Sequence, residues 1–108
     1  MSGSESSQTK SAGHRPRFDS ILTIVSEKNR WLILRELMKG KPLPVSELSK
    51  RTGLSRVNTS KHAVSMERRG FLIRGFGGLY EIPAHFLVPG ENVLDFGAVV
   101  LRFDHLPS

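Results

Sequence analysis

The chain has 108 residues, enough for one small domain with tails. Its 16 Lys and Arg against 10 Asp and Glu give a net charge of +6, a balance that favours a polyanionic partner. The absence of cysteine excludes disulfides, thiolate metal sites and cysteine catalysis, and no apolar run approaches the roughly 18 residues of a membrane span. We therefore expect a cytoplasmic protein that does not enter the membrane.

The N-terminal residues 1–16 are polar and nearly devoid of apolar side chains, so they are predicted to form a disordered tail. The end of this tail is basic. It is either an arm that touches phosphate or a minor groove, or a passive extension.

Two amphipathic helices are predicted next. The first has apolar residues at i, i+3, i+4 and i+7, namely Phe18, Ile21, Leu22 and Val25. The second spans about residues 28–39, with Ser26 as its cap, and carries a wide apolar stripe that includes Trp31. We expect this second helix to lie at the centre of the core.

Residues 44–71 show a helix-turn-helix pattern. A short helix over 46–51 ends near Gly53, because glycine accepts the left-handed conformation that closes a helix. Leu54 anchors the turn and Ser55 is a good N-cap for a second helix at about 56–69. The inward stripe of that second helix is Thr59, Ala63 and Met66.

The opposite face of the second helix carries side chains suited to reading base edges in a major groove. Arg56 and Lys61 can donate to guanine, and Asn58 can pair with adenine. Val57 can meet a thymine methyl group. The competing interpretation is an ordinary solvated helix face.

Other residues on the same helix suit the DNA backbone. The hydroxyls of Ser55 and Ser60, with the amides of the helix N-terminus, can donate to phosphate oxygens. His62, at the edge of the buried face, is predicted to contact phosphate or to support its neighbours through a hydrogen bond.

After Gly70 the pattern changes to strand, Gly-rich turn and strand over 71–82, which predicts a β-hairpin. Arg74 is the cation nearest its tip and completes the predicted DNA-binding residues. We expect Phe76 to pack back on the domain, the alternative being contact with the sugar edge of a groove.

Residues 84–108 form a β-favouring extension in which Gly97 marks a bend or bulge. Its strand is apolar on both faces. It is predicted either to pack against the first helix or to pair with a second chain.

Part of this pattern resembles the winged-helix bacterial repressors of the ArsR and MarR type. The resemblance covers about residues 18–82. It rests on the helix 30–37 and on the residues Leu54, Ser55, Ser60, Lys61, His62, Glu67, Gly70, Phe71 and Leu72. It implies that the hairpin is the wing, and that the first helix builds a dimer contact, as in many such repressors. The chain lacks the cysteines of thiolate sensors. A metal-gated variant would instead use His85, Asp95, Asp104 and His105.

The sequence therefore predicts an α+β fold, a winged helix-turn-helix over residues 17–83 with a C-terminal β-strand extension over 84–108. The predicted function is that of a sequence-specific, double-stranded DNA-binding transcriptional regulator, with no enzymatic signature and no cofactor. A homodimer is one option for its assembly, and any small-molecule effector stays unknown. The alternative is a winged-helix module for protein–protein interaction without direct DNA binding.

Overall fold

The computed structural model of the chain describes residues 16–103. Nearly all of the predicted disordered tail, and residues 104–108, lie outside this range. The described chain has four helices: α1 (Phe18–Val25), α2 (Lys28–Leu37), α3 (Val45–Thr52) and α4 (Arg56–Arg68). Two antiparallel hairpins follow: β1 (Ile73–Arg74) with β2 (Tyr80–Glu81), and β3 (Val93–Asp95) with β4 (Val100–Arg102). Within residues 16–103, no helix combines the length and the apolarity that crossing a membrane requires.

Helix α1 forms where its periodicity predicts, but it buries a different face. Ile21 and Ile24 are fully buried, whereas Phe18 is 55% and Leu22 49% exposed. Successive residues of a helix are 100° apart around its axis. Because Ile24 is buried, the centre of the buried face is rotated by about 60° from the centre of the predicted stripe. Phe18 and Leu22 therefore lie outside the buried face of α1 in this single chain.

Helix α2 is the central helix, with Ile33, Leu34 and Leu37 buried. It ends two residues earlier than predicted. Trp31 is only partly buried, and its Nε1 donates to the Val25 carbonyl at 2.7 Å. The predicted Ser26 cap is wrong, because the Ser26 hydroxyl donates instead to the carbonyl of Thr23 at 3.0 Å.

The first hairpin is the wing, and its strands are shorter than the sequence predicted. Only two residues of each strand pair, in the register Ile73↔Glu81 and Arg74↔Tyr80. The main chain of Leu43, just before α3, exchanges hydrogen bonds of 3.0 and 2.8 Å with Tyr80 and so adds a third, one-residue strand. This bridge ties the wing to the start of the helix-turn-helix.

Phe76 lies in a tight turn over residues 76–78 at the tip of the wing, in which Gly77 and Gly78 have left-handed backbone conformations. The prediction that it packs back on the domain is wrong, because its side chain is 100% exposed. Gly75 closes the tip by donating its amide to the Leu79 carbonyl at 2.8 Å. So tight a reversal holds the side chain out beyond the two short strands.

The C-terminal extension is a hairpin rather than one strand with two apolar faces. Gly97 forms the turn, with φ 93°, and donates its amide to Oδ1 of Asp95 at 2.8 Å. Pairing in the register Leu94↔Leu101 turns these two residues to the core, while Val100 and Arg102 of β4 are exposed and Val93 at the start of β3 is buried on the other face. The inward residues Leu94, Phe96, Leu101 and Phe103 join the hydrophobic core of the winged helix.

Aromatic contacts fasten this hairpin to its own chain. The ring of Phe96 meets Phe71 edge-on at 5.1 Å and Phe86 at 4.8 Å. At the other end, Phe103 packs on Trp31 of α2 at 4.9 Å. The extension therefore packs within its own chain, but these contacts are with α2 and the segment after α4, whereas the sequence had predicted the first helix as the surface for such packing.

Candidate nucleic-acid interface

The turn between α3 and α4 is fixed by its own side chains. Gly53 adopts the left-handed conformation, φ 79°, and closes α3 through its amide on the Ser49 carbonyl at 3.0 Å. The hydroxyl of Ser49 donates to the carbonyl of Leu54 at 2.6 Å, and that of Thr52 to Leu48 at 2.7 Å. The Gly53 bond satisfies one of the last four carbonyls of α3, which have no partner within the helix. The Ser49 hydroxyl ties Leu54 of the turn back to α3.

Ser55 is the N-cap of α4, as predicted. Its hydroxyl accepts the amide of Asn58 at 3.1 Å, and its carbonyl accepts the hydroxyl of Thr59 at 2.8 Å. The inward residues Thr59, Ala63 and Met66 are fully buried, so they hold α4 against the core. The face opposite this stripe consequently points outward.

The outward face of α4 is cationic and begins at the first residue of the helix. Arg56, Asn58 and Lys61 are exposed, Val57 is 70% exposed and Ser60 is half-buried. A shallow groove alongside is lined by four of these residues and by Val45. Neither Arg56 nor Lys61 takes part in any of the ion pairs found within residues 16–103.

The charge at the start of α4 is the reverse of what helix stability favours. The first turn of α4 contains no acidic residue and begins with Arg56. A helix N-terminus carries partial positive charge, so a cation there is mildly unfavourable. The same amides and the same cation together make a strong site for an anion.

His62 lies beside this face and is held by α2. Arg30 donates from Nε to Nδ1 of His62 at 3.2 Å, and from Nη1 to the Thr23 carbonyl at 3.1 Å. Nδ1 must therefore be the acceptor, which puts the ring proton of neutral His62 on Nε2. Burial and the charges of Arg30 and Lys61 lower the pKa of His62, while Glu27 opposes them. At neutral pH the ring is uncharged and retains a donor at Nε2.

Arg74 is on a different element from the other predicted residues. It is exposed on β1, and its guanidinium lies 5.8 Å from the centre of the Tyr80 ring. The structure thus groups seven of the eight predicted residues at the start of α4 and puts Arg74 on the wing.

Sequence reasoning missed Arg30, although it connects α1, α2 and α4. It is 32 residues from His62 in the chain, so no local spacing joins the two. The side-chain chemistry offered one hint, since a His at the edge of a buried face needs a hydrogen-bond partner.

The residues of the metal-gated alternative are only partly described. Within residues 16–103, no group of three or more His, Asp or Glu side chains is placed to hold a metal ion. His85 and Asp95 belong to that range, whereas Asp104 and His105 do not.

The comparison with known families agrees with this geometry. Residues 27–77 match the family model described as the MarR family. The match covers α2, α3, α4 and the first half of the wing, and the C-terminal hairpin lies beyond it. No curated protein and no solved structure matches the chain.

Members of this family are DNA-binding transcriptional regulators rather than enzymes, and they often dimerise. The α+β winged helix expected from the sequence is confirmed, and of the two families that it resembled the match is to MarR. The match over residues 27–77 therefore supports a MarR-like winged helix-turn-helix regulator.

Proposed function

We propose that the protein is a transcriptional regulator that reads double-stranded DNA of a specific sequence by placing α4 in the major groove. The observation that carries the proposal is the outward face of α4, whose first two turns present Arg56 and Lys61 outside the ion pairs found in residues 16–103. A cation at that position opposes helix stability, so its use is explained best by an anionic partner.

Each residue of this face has a role that follows from its position. Arg56 and Lys61 are exposed and long enough to reach guanine edges, and Asn58 presents an amide for adenine. Val57 offers an apolar contact to a thymine methyl group. These four residues supply the sequence preference.

The remaining predicted residues position the protein on the backbone. Ser55, Ser60 and the Nε2–H of His62 donate to phosphate oxygens, and Arg74 adds a cation from the wing. Such contacts carry no base information, but they set the depth and the register of α4 in the groove.

We further propose that the regulator acts as a homodimer. Phe18 and Leu22 form an exposed apolar pair on α1 that a second copy would cover. Two-fold symmetry would put two copies of α4 about 34 Å apart, one turn of the duplex, on a pseudo-palindromic site.

The proposal is tested with a labelled duplex selected from a randomised library by the purified protein. Affinity measured by fluorescence anisotropy should fall with salt along a log–log slope of about −5 to −9, for six to ten phosphate contacts in a dimer. Arg56→Ala and Lys61→Ala should each weaken binding by roughly 1–3 kcal/mol. Arg102→Ala is the matched control, because it removes one cation from the C-terminal hairpin.

Folding must be followed in the same variants. Arg56→Ala should leave the melting temperature unchanged or slightly higher, because it removes a cation from the helix N-terminus. A loss of DNA affinity with intact folding supports the proposal. A flat salt response, or equal affinities for Arg56→Ala and Arg102→Ala, would instead favour the protein-interaction module.

A further inference from the structure

The contact that the proposed function leaves unexplained is the one between Arg30 and His62. Arg30 is half-buried in the first turn of α2, and it takes part in none of the ion pairs found within residues 16–103. Its guanidinium donates instead to two neutral acceptors, Nδ1 of His62 at 3.2 Å and the Thr23 carbonyl at 3.1 Å. Such bonds are weaker than those to a carboxylate, and a cation in the first turn of a helix is unfavourable, so stability alone explains this arrangement poorly.

The bond to Thr23 fixes the position of the Arg30 guanidinium. The Thr23 carbonyl belongs to the last turn of α1, where helix carbonyls have no partner within the helix. Because a guanidinium is planar and rigid, the bond from Nη1 to this carbonyl also sets the direction of the Nε–H that meets His62. One side chain of α2 thereby connects the end of α1 with the middle of α4.

The contact with Arg30 also decides which nitrogen of the neutral His62 ring carries the proton. An arginine has donors and no acceptor, so Nδ1 has to accept and the proton is on Nε2. The ring is half-buried on α4, directly after the exposed Lys61. With Nδ1 occupied, the donor that this ring offers to DNA is Nε2–H.

The charges around His62 keep its ring in the state that accepts from Arg30. Burial lowers the pKa of His62 most, Arg30 from α2 and Lys61 from α4 lower it further, and Glu27 just before α2 opposes them. A protonated ring has hydrogen on both nitrogens, so it could not accept from the guanidinium and would face it as a second cation. The neutral ring and the Arg30 bond therefore depend on each other.

We propose that Arg30 is a positioning residue for DNA binding, which holds the ring of His62 so that its Nε2–H meets a phosphate oxygen when α4 occupies the major groove. This inference rests on the proposed function. Arg30 acts through His62 and not by its own contact with the duplex, because its guanidinium is already bonded between α1 and α4. Phosphate contacts set the register of α4 without reading bases, so Arg30 contributes to affinity at every operator sequence alike.

A double-mutant cycle on the library-selected duplex tests whether Arg30 acts through His62. His62→Phe keeps a ring without a donor and should weaken binding roughly tenfold, the order for one hydrogen bond to a charged group. Arg30→Ala should weaken binding roughly three- to tenfold relative to Arg102→Ala, which also lacks one cation. The double variant should bind no more weakly than His62→Phe, apart from the effect of the lost charge. Two losses that multiply in the double variant would overturn the inference.

A charge-conserving variant separates the geometry of Arg30 from its charge. Arg30→Lys keeps the cation but lacks the planar fork that bonds Thr23 and His62 together. It should therefore lose affinity as Arg30→Ala does, while its salt slope stays that of the parent protein. If Arg30→Ala does not fold, the same cycle is measured with Arg30→Lys.

The pKa of His62 in the free protein is a readout that a merely structural role of Arg30 would not move. NMR titration gives this pKa, and the His62 resonances are those that His62→Phe lacks. Arg30→Ala should raise the pKa, because it removes a cation that lowers it. The affinity deficit of Arg30→Ala should also be larger at pH 7.5 than at pH 6, where the released ring gains a proton and is attracted to phosphate.

The outcomes distinguish this inference from the proposed function. If Arg30→Ala and Arg30→Lys bind as the parent does while Arg56→Ala is impaired, the Arg30 inference fails and the proposed function stands. An unchanged His62 pKa in Arg30→Ala also overturns the inference, because the two side chains would then not face each other. If the parent protein binds no duplex, both fail.

Discussion

Replacing Phe96 by Ala should remove a large share of the stability of the domain. The Phe96 side chain is 1% exposed and meets two other rings edge-on, Phe71 at 5.1 Å and Phe86 at 4.8 Å. Truncating a buried Phe costs about 3–5 kcal/mol, and two aromatic contacts of roughly 0.5–1.5 kcal/mol each favour the upper end. At about 0.05–0.15 kcal/mol per residue, residues 16–103 have roughly 4–13 kcal/mol in total.

Urea unfolding followed by Trp31 fluorescence measures this loss. Trp31 is the only tryptophan and its ring packs on Phe103, so its emission reports whether the C-terminal hairpin is docked. Phe76→Ala is the matched control, because it removes the same atoms from a fully exposed position and should change stability by no more than about 0.5 kcal/mol.

A second variant keeps the measurement informative if Phe96→Ala does not fold. Phe96→Leu fills most of the volume and should retain the fold with a smaller loss. Equal unfolding midpoints for Phe96→Ala and Phe76→Ala would show that the hairpin does not pack on the winged helix. Of the two predicted roles for residues 84–103, only pairing with a second chain would then be left.

Two further predictions concern the helix-turn-helix itself. Gly53→Ala should lower the free energy of unfolding by about 1–2 kcal/mol, because an alanine at φ 79° has a strained backbone. A Cβ at this position would meet nothing within 4 Å, so no steric clash adds to that loss. Gly75→Ala, at a φ of −98°, is its control, and equal losses in the two would contradict the left-handed requirement. The lowered pKa of His62 means that the unfolded chain binds a proton more readily, so stability is complete above the ordinary His pKa of about 6.5 and falls as the pH drops below it. The urea midpoint should therefore be lower at pH 5.5 than at pH 7.5, and His62→Gln should abolish the part of this difference that His62 causes. If His62 instead makes the protein more stable at the lower pH, burial and the neighbouring cations do not lower its pKa.

The features that local chemistry controls could be predicted from the sequence. Gly53 and Ser55 mark the end of one helix and the start of the next, because each acts within a few residues of its own position. The buried stripe of α4 follows from helical periodicity alone. The family resemblance rests on residues 30–37 and 54–72, so it agrees with the family match over residues 27–77 and says nothing about the C-terminal hairpin.

Only the tertiary structure decided which surfaces are covered. Leu22 fits an inward stripe by spacing, yet Ile24 is buried in its place because α1 docks on α2 by another side. Phe76 resembles any core aromatic in the sequence, and only the short strands and the tight turn show that it stands in solvent. The Arg30–His62 hydrogen bond joins residues 32 positions apart. Periodicity and capping act within one or two turns of a chain, whereas docking angles depend on the shapes of elements distant in sequence, and these exist only once the chain has folded.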